Sequence, residues 1–359
     1  MYTFYLVDMV SHWLLTGFIL TCLFQVSIQA NVVPSILLQN SATNNVLMPA
    51  TGLGTGGYAL TLDSHGEHWN DSIAEKSVSL WLKLGGRRID GSFSYLDQVG
   101  IGQAIRASGI PRKEIFITSK VGPSGANKNG VPLGGPLGYN DTLKQMEQVL
   151  GSLGVTYVDL LLIHWPYDAI HAPSSEKECN GNTSTEMRLC RQSTWKAMLQ
   201  ILKEGKARAV GVSNFALQHL QDIIDMGEMI PSVNQCEFHV FWHDLELLEF
   251  CKRHNITFNG YSPLAAPDFG PWSLGWNESL LELPLVKLIS QRYGKTAAQI
   301  LQRYSLHQGV LVNPRSWNEE HMRENLNVFD FELSDQEVMQ LNALSTKKPN
   351  VCTDPRELP

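Results

Sequence analysis

A closed (β/α)8 barrel is the fold class this sequence predicts, and three observations predict it. Eight short runs of apolar and β-branched residues recur between residues 52 and 315. Amphipathic stretches with helical spacing lie between them, and most stop at a Gly or Asn. Most of the runs carry continuous apolar character rather than strict alternation, the pattern of parallel strands buried on both faces and joined by crossovers. An open doubly wound sheet is the alternative. The chain has 359 residues; at about 150 residues per domain that is a soft expectation of two, but one barrel of about 250 residues would use most of the length.

In chain order the runs are GLGT (52–55), RRID (87–90), IFITSKV (115–121), YVDLLLIHW (157–165), ARAVGVSN (207–214), SVNQCEF (232–238), ITFNGYS (256–262) and GVLVNPR (309–315). The helical stretches include SIAEKSVSLWLKLGG, with apolar residues at 73, 80 and 81 and a stop at Gly85 and Gly86. DTLKQMEQVLGSLG, STWKAMLQILKEGK, ALQHLQDIIDMG and DLELLEFCKRHN follow the same rule. Gly52, Gly54 and Gly57 spell a G-x-G-x-x-G, the dinucleotide fingerprint of the open-sheet alternative. That fingerprint needs a helix starting at its last glycine, and here the polar, turn-rich YALTLDSHGEHWND follows. His65 and His68 in SHGEH lack a third ligand at metal spacing, so no metal is expected.

The composition narrows the function. Hydrophobic residues make up 43%, enough for a large core. The net charge is −7 without a Lys/Arg run, which argues against nucleic acid as a partner. Six cysteines without a CxxC support neither a disulfide scaffold nor a thiolate zinc site. Residues 13–24, WLLTGFILTCLF, followed by QVSIQA ending at Ala30, predict a signal peptide over 1–30, with a membrane anchor as the alternative. The leader lacks an early Lys or Arg and carries Asp8. Five N-x-S/T triplets start at Asn70, Asn140, Asn182, Asn255 and Asn277, consistent with a glycoprotein on the secretory route. Cys179 and Cys190 flank a polar insertion and would pair in an oxidising lumen or stand as two free thiols otherwise. Entry into the secretory pathway is expected, with residues 31–359 forming the barrel domain around a core at 47–345.

Barrel enzymes carry their chemistry at the C-terminal ends of the strands. The second run ends at Asp90, with Tyr95 five residues on; the third ends near Lys120; the fourth ends at His164. A buried Lys needs a counter-charge, and Asp90 on the neighbouring strand offers one. Such a set suits carbonyl reduction, in which hydride adds to carbon and the developing alkoxide takes a proton. Tyr95 is the candidate acid, Lys120 the neighbour expected to lower its pKa, Asp90 the anchor of Lys120, and His164 the group orienting the carbonyl.

At these residues the sequence resembles the aldo-keto reductase superfamily. The matching stretches are LMPATGLGTG, GGRRIDGSFSY, IFITSK, YVDLLLIHWP, WKAMLQILKEGKARAVGVSNF, VNQCEF, GYSPL and RENLNVFDFELS, in order from about residue 47 to 335. The resemblance implies a barrel that binds NADPH in an extended form, with Asp90, Tyr95, Lys120 and His164 as catalytic tetrad. It implies that Ser213, Asn214 and Gln235 hold the nicotinamide carboxamide and that Tyr261 stacks on the ring. Ser262 and Leu264 would line the pyrophosphate; Gly54, Thr55, Arg315, Ser316, Glu324 and Asn325 complete the cofactor set. Relatives that reduce steroid double bonds carry Glu in place of the His, so His164 points to carbonyls. A small carbonyl substrate, no stable partner and a monomer are implied; a cofactor-binding regulatory subunit of the same fold is the alternative.

Three departures from the family pattern stand out. Arg315-Ser316 replaces a Lys-Ser pair, and His321 stands where the family has an Arg for the adenosine 2′-phosphate, so NADPH is expected with NADH use more open than usual. Arg323 is nearby but points elsewhere on its helix. Gly56 removes an aromatic pocket wall, while Trp165 stays beside His164 as a substrate contact. Residues 122–139 and 171–190 read as insertions on the rim that shape substrate choice.

Overall fold

Eight parallel strands make one sheet in the computed structural model, which describes residues 33–41, 45–56, 70–126, 132–167, 173–265, 279–345 and 354–359. With two further hairpins, the described strands are β1 (Ser35–Leu37), β2 (Leu47–Pro49), β3 (Leu53–Gly54), β4 (Arg88–Asp90), β5 (Phe116–Val121), β6 (Pro123–Ala126), β7 (Pro132–Gly134), β8 (Val158–Ile163), β9 (Ala207–Ser213), β10 (Val233–Glu237), β11 (Thr257–Tyr261) and β12 (Leu311–Val312). The large sheet runs β3-β4-β5-β8-β9-β10-β11-β12. Its two edges are joined: Thr51 bridges Val312 in parallel, Gly52 N–H donates to Val312 O at 3.0 Å, and Gly54 N–H donates to Pro314 O at 3.0 Å. The ring is therefore closed, and each predicted run supplies one of its strands.

The helices are α1 (Asp71–Lys83), α2 (Gln98–Ala107), α3 (Tyr139–Leu153), α4 (Ser184–Lys203), α5 (Leu217–Ile224), α6 (Leu245–Arg253), α7 (Pro284–Tyr293), α8 (Ala297–His307), α9 (Glu319–Leu326) and α10 (Asp335–Asn342). Side chains of a strand alternate between its faces. Ile117 and Val121 of β5 face outward and join Leu161, Ile163, Trp195 and Met198 in the shell between strands and helices. Phe116 faces inward and packs with Leu160, Leu162, Val233 and Leu311 inside the barrel. Thr118 and Lys120 share that inward face, which carries Lys120 to the mouth.

Several elements differ from the sequence expectation. β1 and β2 form an antiparallel hairpin whose Leu38, Val46, Met48 and Ala50 plug the interior cluster from the N-terminal end. Within the rim insertion at 122–139, β6 and β7 pair as a second antiparallel hairpin. Residues 171–190 were expected as an insertion, yet α4 begins at Ser184, capped by a reciprocal Thr183–Glu186 box. Its buried stripe Met187, Cys190, Arg191 and Thr194 has helical spacing that the polar composition hid. Cys179 and Cys190 form a disulfide that ties the preceding 3-10 turn to this helix. Residues 1–30, Gly57, His65, His68 and Asn277 lie outside the described residues. Among the described residues no helix is long and apolar enough to cross a membrane, and no cluster of His, Cys, Asp or Glu could hold a metal ion.

Candidate active site

Three neighbouring strands, β4, β5 and β8, deliver the charged part of the site to one end of the barrel. Asp90 closes β4, Lys120 lies near the end of β5, and His164 follows β8. Lys120 Nζ donates to Asp90 Oδ1 at 2.5 Å and to Gly91 O at 2.9 Å, with both charged side chains buried. Tyr95 stands on the one-turn 3-10 helix Phe93–Tyr95, which Ser92 caps by accepting from Ser94 N–H. Leu96 follows in the left-handed region (φ 58°), which ends the turn. Tyr95 Oη then sits 3.5 Å from Lys120 Nζ and 3.5 Å from His164 Nε2. The four sequence-predicted side chains thus meet in one row.

The electrostatics follow from burial and pairing. Burial alone would favour neutral Lys120, but Asp90 and then Tyr95 outweigh it, and its pKa is raised. Burial, followed by repulsion from the Lys120 ammonium, holds the His164 pKa well below the usual imidazole value, so His164 is neutral. Tyr95 corrects the sequence expectation. Lys120 does pull the phenol pKa down, but removal from water pushes it up more strongly and Asp90 adds to that push. The net shift is upward, and the resting phenol keeps its proton.

Asp90 has a second partner: Gln235 Nε2 donates to Asp90 Oδ2 at 2.6 Å. Thr55 Oγ1 donates to Asp90 O at 3.2 Å beside Gly54 on β3. Ser213 Oγ donates to Gln235 O at 2.8 Å. Asn214, in the left-handed region (φ 60°), donates through Nδ2 to His164 O at 3.0 Å and accepts at Oδ1 from the Tyr261 hydroxyl at 2.8 Å. Ser213, Asn214, Gln235 and Tyr261 are therefore gathered at the ends of β9, β10 and β11, with the Tyr261 ring half-buried. Ser262 and Leu264 follow β11, both half-buried. Past β12, Arg315 donates to Gly56 O at 3.0 Å, and Ser316 Oγ accepts from Asn318 N–H. Buried amides and a hydroxyl beside an aromatic ring, with a guanidinium past β12, fit an amide-bearing ring and a phosphate.

Other predicted residues have structural partners. Asn325 Oδ1 accepts from Gln302 Nε2 at 2.6 Å, and Glu324 accepts from Thr296 Oγ1 at 3.0 Å, so both brace α9 against α8. Arg323 pairs with Glu319 at 2.6 Å on an exposed face, while His321 is exposed in the first turn of α9. Trp165, half-buried, follows His164. Sequence reasoning missed Ser92 and Ser94, whose hydroxyls lie 3.1 and 3.3 Å from His164 Nδ1. Their only signal was two hydroxyls in the segment between Asp90 and Tyr95.

Comparison with known proteins agrees with this architecture. The model of the Aldo/keto reductase family matches residues 52–346. The chain is 32% identical over 308 residues to a 9,11-endoperoxide prostaglandin H2 reductase of Trypanosoma cruzi, covering 85% of this chain and 90% of that one. It is 34% identical over 289 residues to a glyoxal reductase of Bacillus subtilis, covering 80% and 89%. Among solved structures, the Bombyx mori aldo-keto reductase in complex with NADP superposes with a TM-score of 0.74 at 26% identity, covering 91% of this chain and 98% of that one. The barrel, the row of side chains at its mouth and these likenesses together show that the chain belongs to the aldo/keto reductase family.

Proposed function

We propose that this protein is an NADPH-dependent reductase of aldehydes or ketones, with Tyr95 as its acid. The observation that carries the reading is the hydrogen-bonded row Asp90–Lys120–Tyr95–His164. The family uses NADPH, and a relative of this fold is in complex with NADP. Ser213, Asn214, Gln235 and Tyr261 would hold the nicotinamide end, Gly54, Thr55, Ser262 and Leu264 its neighbourhood, and Arg315 and Ser316 the phosphate end. Bound NADPH supplies the hydride for the carbonyl carbon. The chain's own groups handle the oxygen: His164 Nε2 orients it and Tyr95 Oη gives it a proton. Lys120, held by Asp90, favours the phenolate that remains. In alcohol oxidation the same phenolate takes the proton back. His321 in place of a second guanidinium leaves NADH use open.

Tyr95→Phe keeps the ring and removes the proton. NADPH oxidation with nitrobenzaldehyde is expected to fall by about 100-fold or more, the scale of lost general-acid catalysis. Activity equal to wild type would defeat the mechanism; tight NADPH binding by a wild type that turns over no carbonyl would favour the regulatory-subunit alternative. The pH profile tests the same assignment. His164 is neutral well below pH 6.5 and Tyr95 keeps its proton beyond pH 10, so reduction should be flat between those values and decline only as the phenol ionises above them. A limb centred near pH 6.5 would contradict it.

The secretory assignment belongs to the same proposal. It is supported by the Cys179–Cys190 disulfide and by the exposure of Asn70, Asn140, Asn182 and Asn255. Recovery of unglycosylated, full-length protein with Met1 from cytosol would refute it.

A further inference from the structure

The Nδ1 side of His164 is enclosed by two hydroxyls. Ser92 Oγ lies 3.1 Å from Nδ1 and Ser94 Oγ 3.3 Å, and the two oxygens are 2.9 Å apart, all three groups buried. Ser92 Oγ also accepts from Ser94 N–H at 3.2 Å. The opposite ring nitrogen, Nε2, faces Tyr95 Oη.

Counting protons decides how this cluster is wired. Each hydroxyl has one proton to give. If Nδ1 is unprotonated, one serine donates to Nδ1 and the other donates to the first serine's oxygen, so both protons are placed. If Nδ1 carries the ring proton, only one hydroxyl can donate to the other, and the second O–H is left buried with no acceptor among the described residues, an arrangement that folded proteins avoid. A neutral imidazole with an accepting Nδ1 has its proton on Nε2. That is the tautomer able to donate toward the reacting oxygen.

We propose that Ser92 and Ser94 are positioning residues that fix His164 as its Nε2–H tautomer, so that the ring presents a donor to the substrate carbonyl. The inference rests on the carbonyl-reduction reading for its consequence, but not for its first test. Because either hydroxyl can serve Nδ1, the pair is redundant: losing one leaves a donor, and losing both leaves the tautomer unspecified.

The test is a long-range 15N–1H imidazole spectrum of the full-length protein, with and without NADPH, with His164 assigned from the signals missing in His164→Gln. Wild type should show an unprotonated Nδ1 and a protonated Nε2. Ser92→Ala and Ser94→Ala should each keep that signature and lower kcat/KM by about threefold. The double variant should lose the single-tautomer signature and fall by about 10- to 100-fold, the range for partners that orient an active-site imidazole, with kcat down and KM for carbonyl up. Ser94→Thr in the Ser92→Ala background keeps a hydroxyl and should stay at the single-variant level. A protonated Nδ1 in wild type overturns the proposal, as does a double variant with the Nε2–H signature and wild-type kcat/KM. If the double variant fails to fold, the wild-type spectrum and the single variants still decide. An inactive wild type that shows Nε2–H would overturn the carbonyl-reduction reading and leave the serine pair standing; an active wild type with Nδ1–H would do the reverse.

Discussion

Two cations are buried inside this barrel on neighbouring strands, and they are treated in opposite ways. Lys120, at the mouth end of β5, has a carboxylate against its ammonium and a phenol within reach. Arg88, two residues before Asp90 on β4, meets only neutral acceptors among the described residues: Pro49 O at 2.8 Å, Asn259 Oδ1 at 3.3 Å and Val312 O. Pairing raises the Lys120 pKa despite burial, whereas burial dominates at Arg88 and takes its pKa down to about 10, against the pull of Asp90. The upper cation faces a titratable phenol and a carboxylate. The lower one joins β4 to the floor hairpin and to the strand that closes the ring. Burial of a charge alone therefore does not mark chemistry in this fold; a titratable partner does.

Lys120→Met is the severest way to break that contrast. It leaves Asp90 buried beside a phenol without its tuning charge, so kcat/KM should fall by about 1000-fold, within the range for lost acid–base assistance. The uncompensated carboxylate should also cost about 3 kcal/mol of stability, read by denaturant unfolding. If Lys120→Met keeps wild-type kcat/KM, the upper cation is structural too, and the distinction falls.

The lower level should answer in stability instead. Arg88→Met strands three acceptors while relieving a buried charge, and a net loss of about 1–3 kcal/mol is expected with kcat/KM within about twofold of wild type. Gly52 sharpens this. A Cβ there would lie 2.3 Å from Arg88 Nε, so Gly52→Ala should cost about 1–3 kcal/mol by overpacking. In an Arg88→Ala background, which removes both Cγ and Nε, most of that cost should vanish, giving a coupling of about 1 kcal/mol or more. Additive losses would mean that Arg88 is not what Gly52 accommodates.

How much of this was legible in the sequence varies with the physics of each residue. The eight strands were readable because a strand buried on both faces must be apolar throughout. The meeting of these side chains was readable because Asp90, Lys120 and His164 interrupt or end such runs, where a charge or imidazole needs a reason. Arg88 was not: RRID read as a strand, and nothing local said that its second Arg points inward. The sign of the Tyr95 shift was also hidden, because adjacency to Lys120 can be guessed from strand order but the depth of desolvation cannot. The floor and rim hairpins have strands of three or four residues, too short for a period to show. Ser92 and Ser94 carry no periodicity at all, and only their convergence on Nδ1 gives them meaning.

The smallest expected effect lies back at the mouth, and it separates the two levels most finely. A Cβ on Gly56 would come 3.0 Å from Tyr95 Cζ and 3.1 Å from its Oη. This is milder than the clash at Gly52, and the neighbour is a half-buried ring able to shift by a few tenths of an ångström. Gly56→Ala should therefore leave stability within about 0.5 kcal/mol of wild type. The same small shift moves the phenol oxygen relative to Lys120 and His164, already at the outer limit of hydrogen bonding. Since misplacing a reacting group by about 1 Å costs about 100-fold, a fraction of that displacement should lower kcat/KM by about threefold to tenfold. Unfolding curves and steady-state kinetics on one preparation test both halves. A Gly56→Ala protein that loses stability but reacts at the wild-type rate would show that the ring is held for packing rather than for proton transfer.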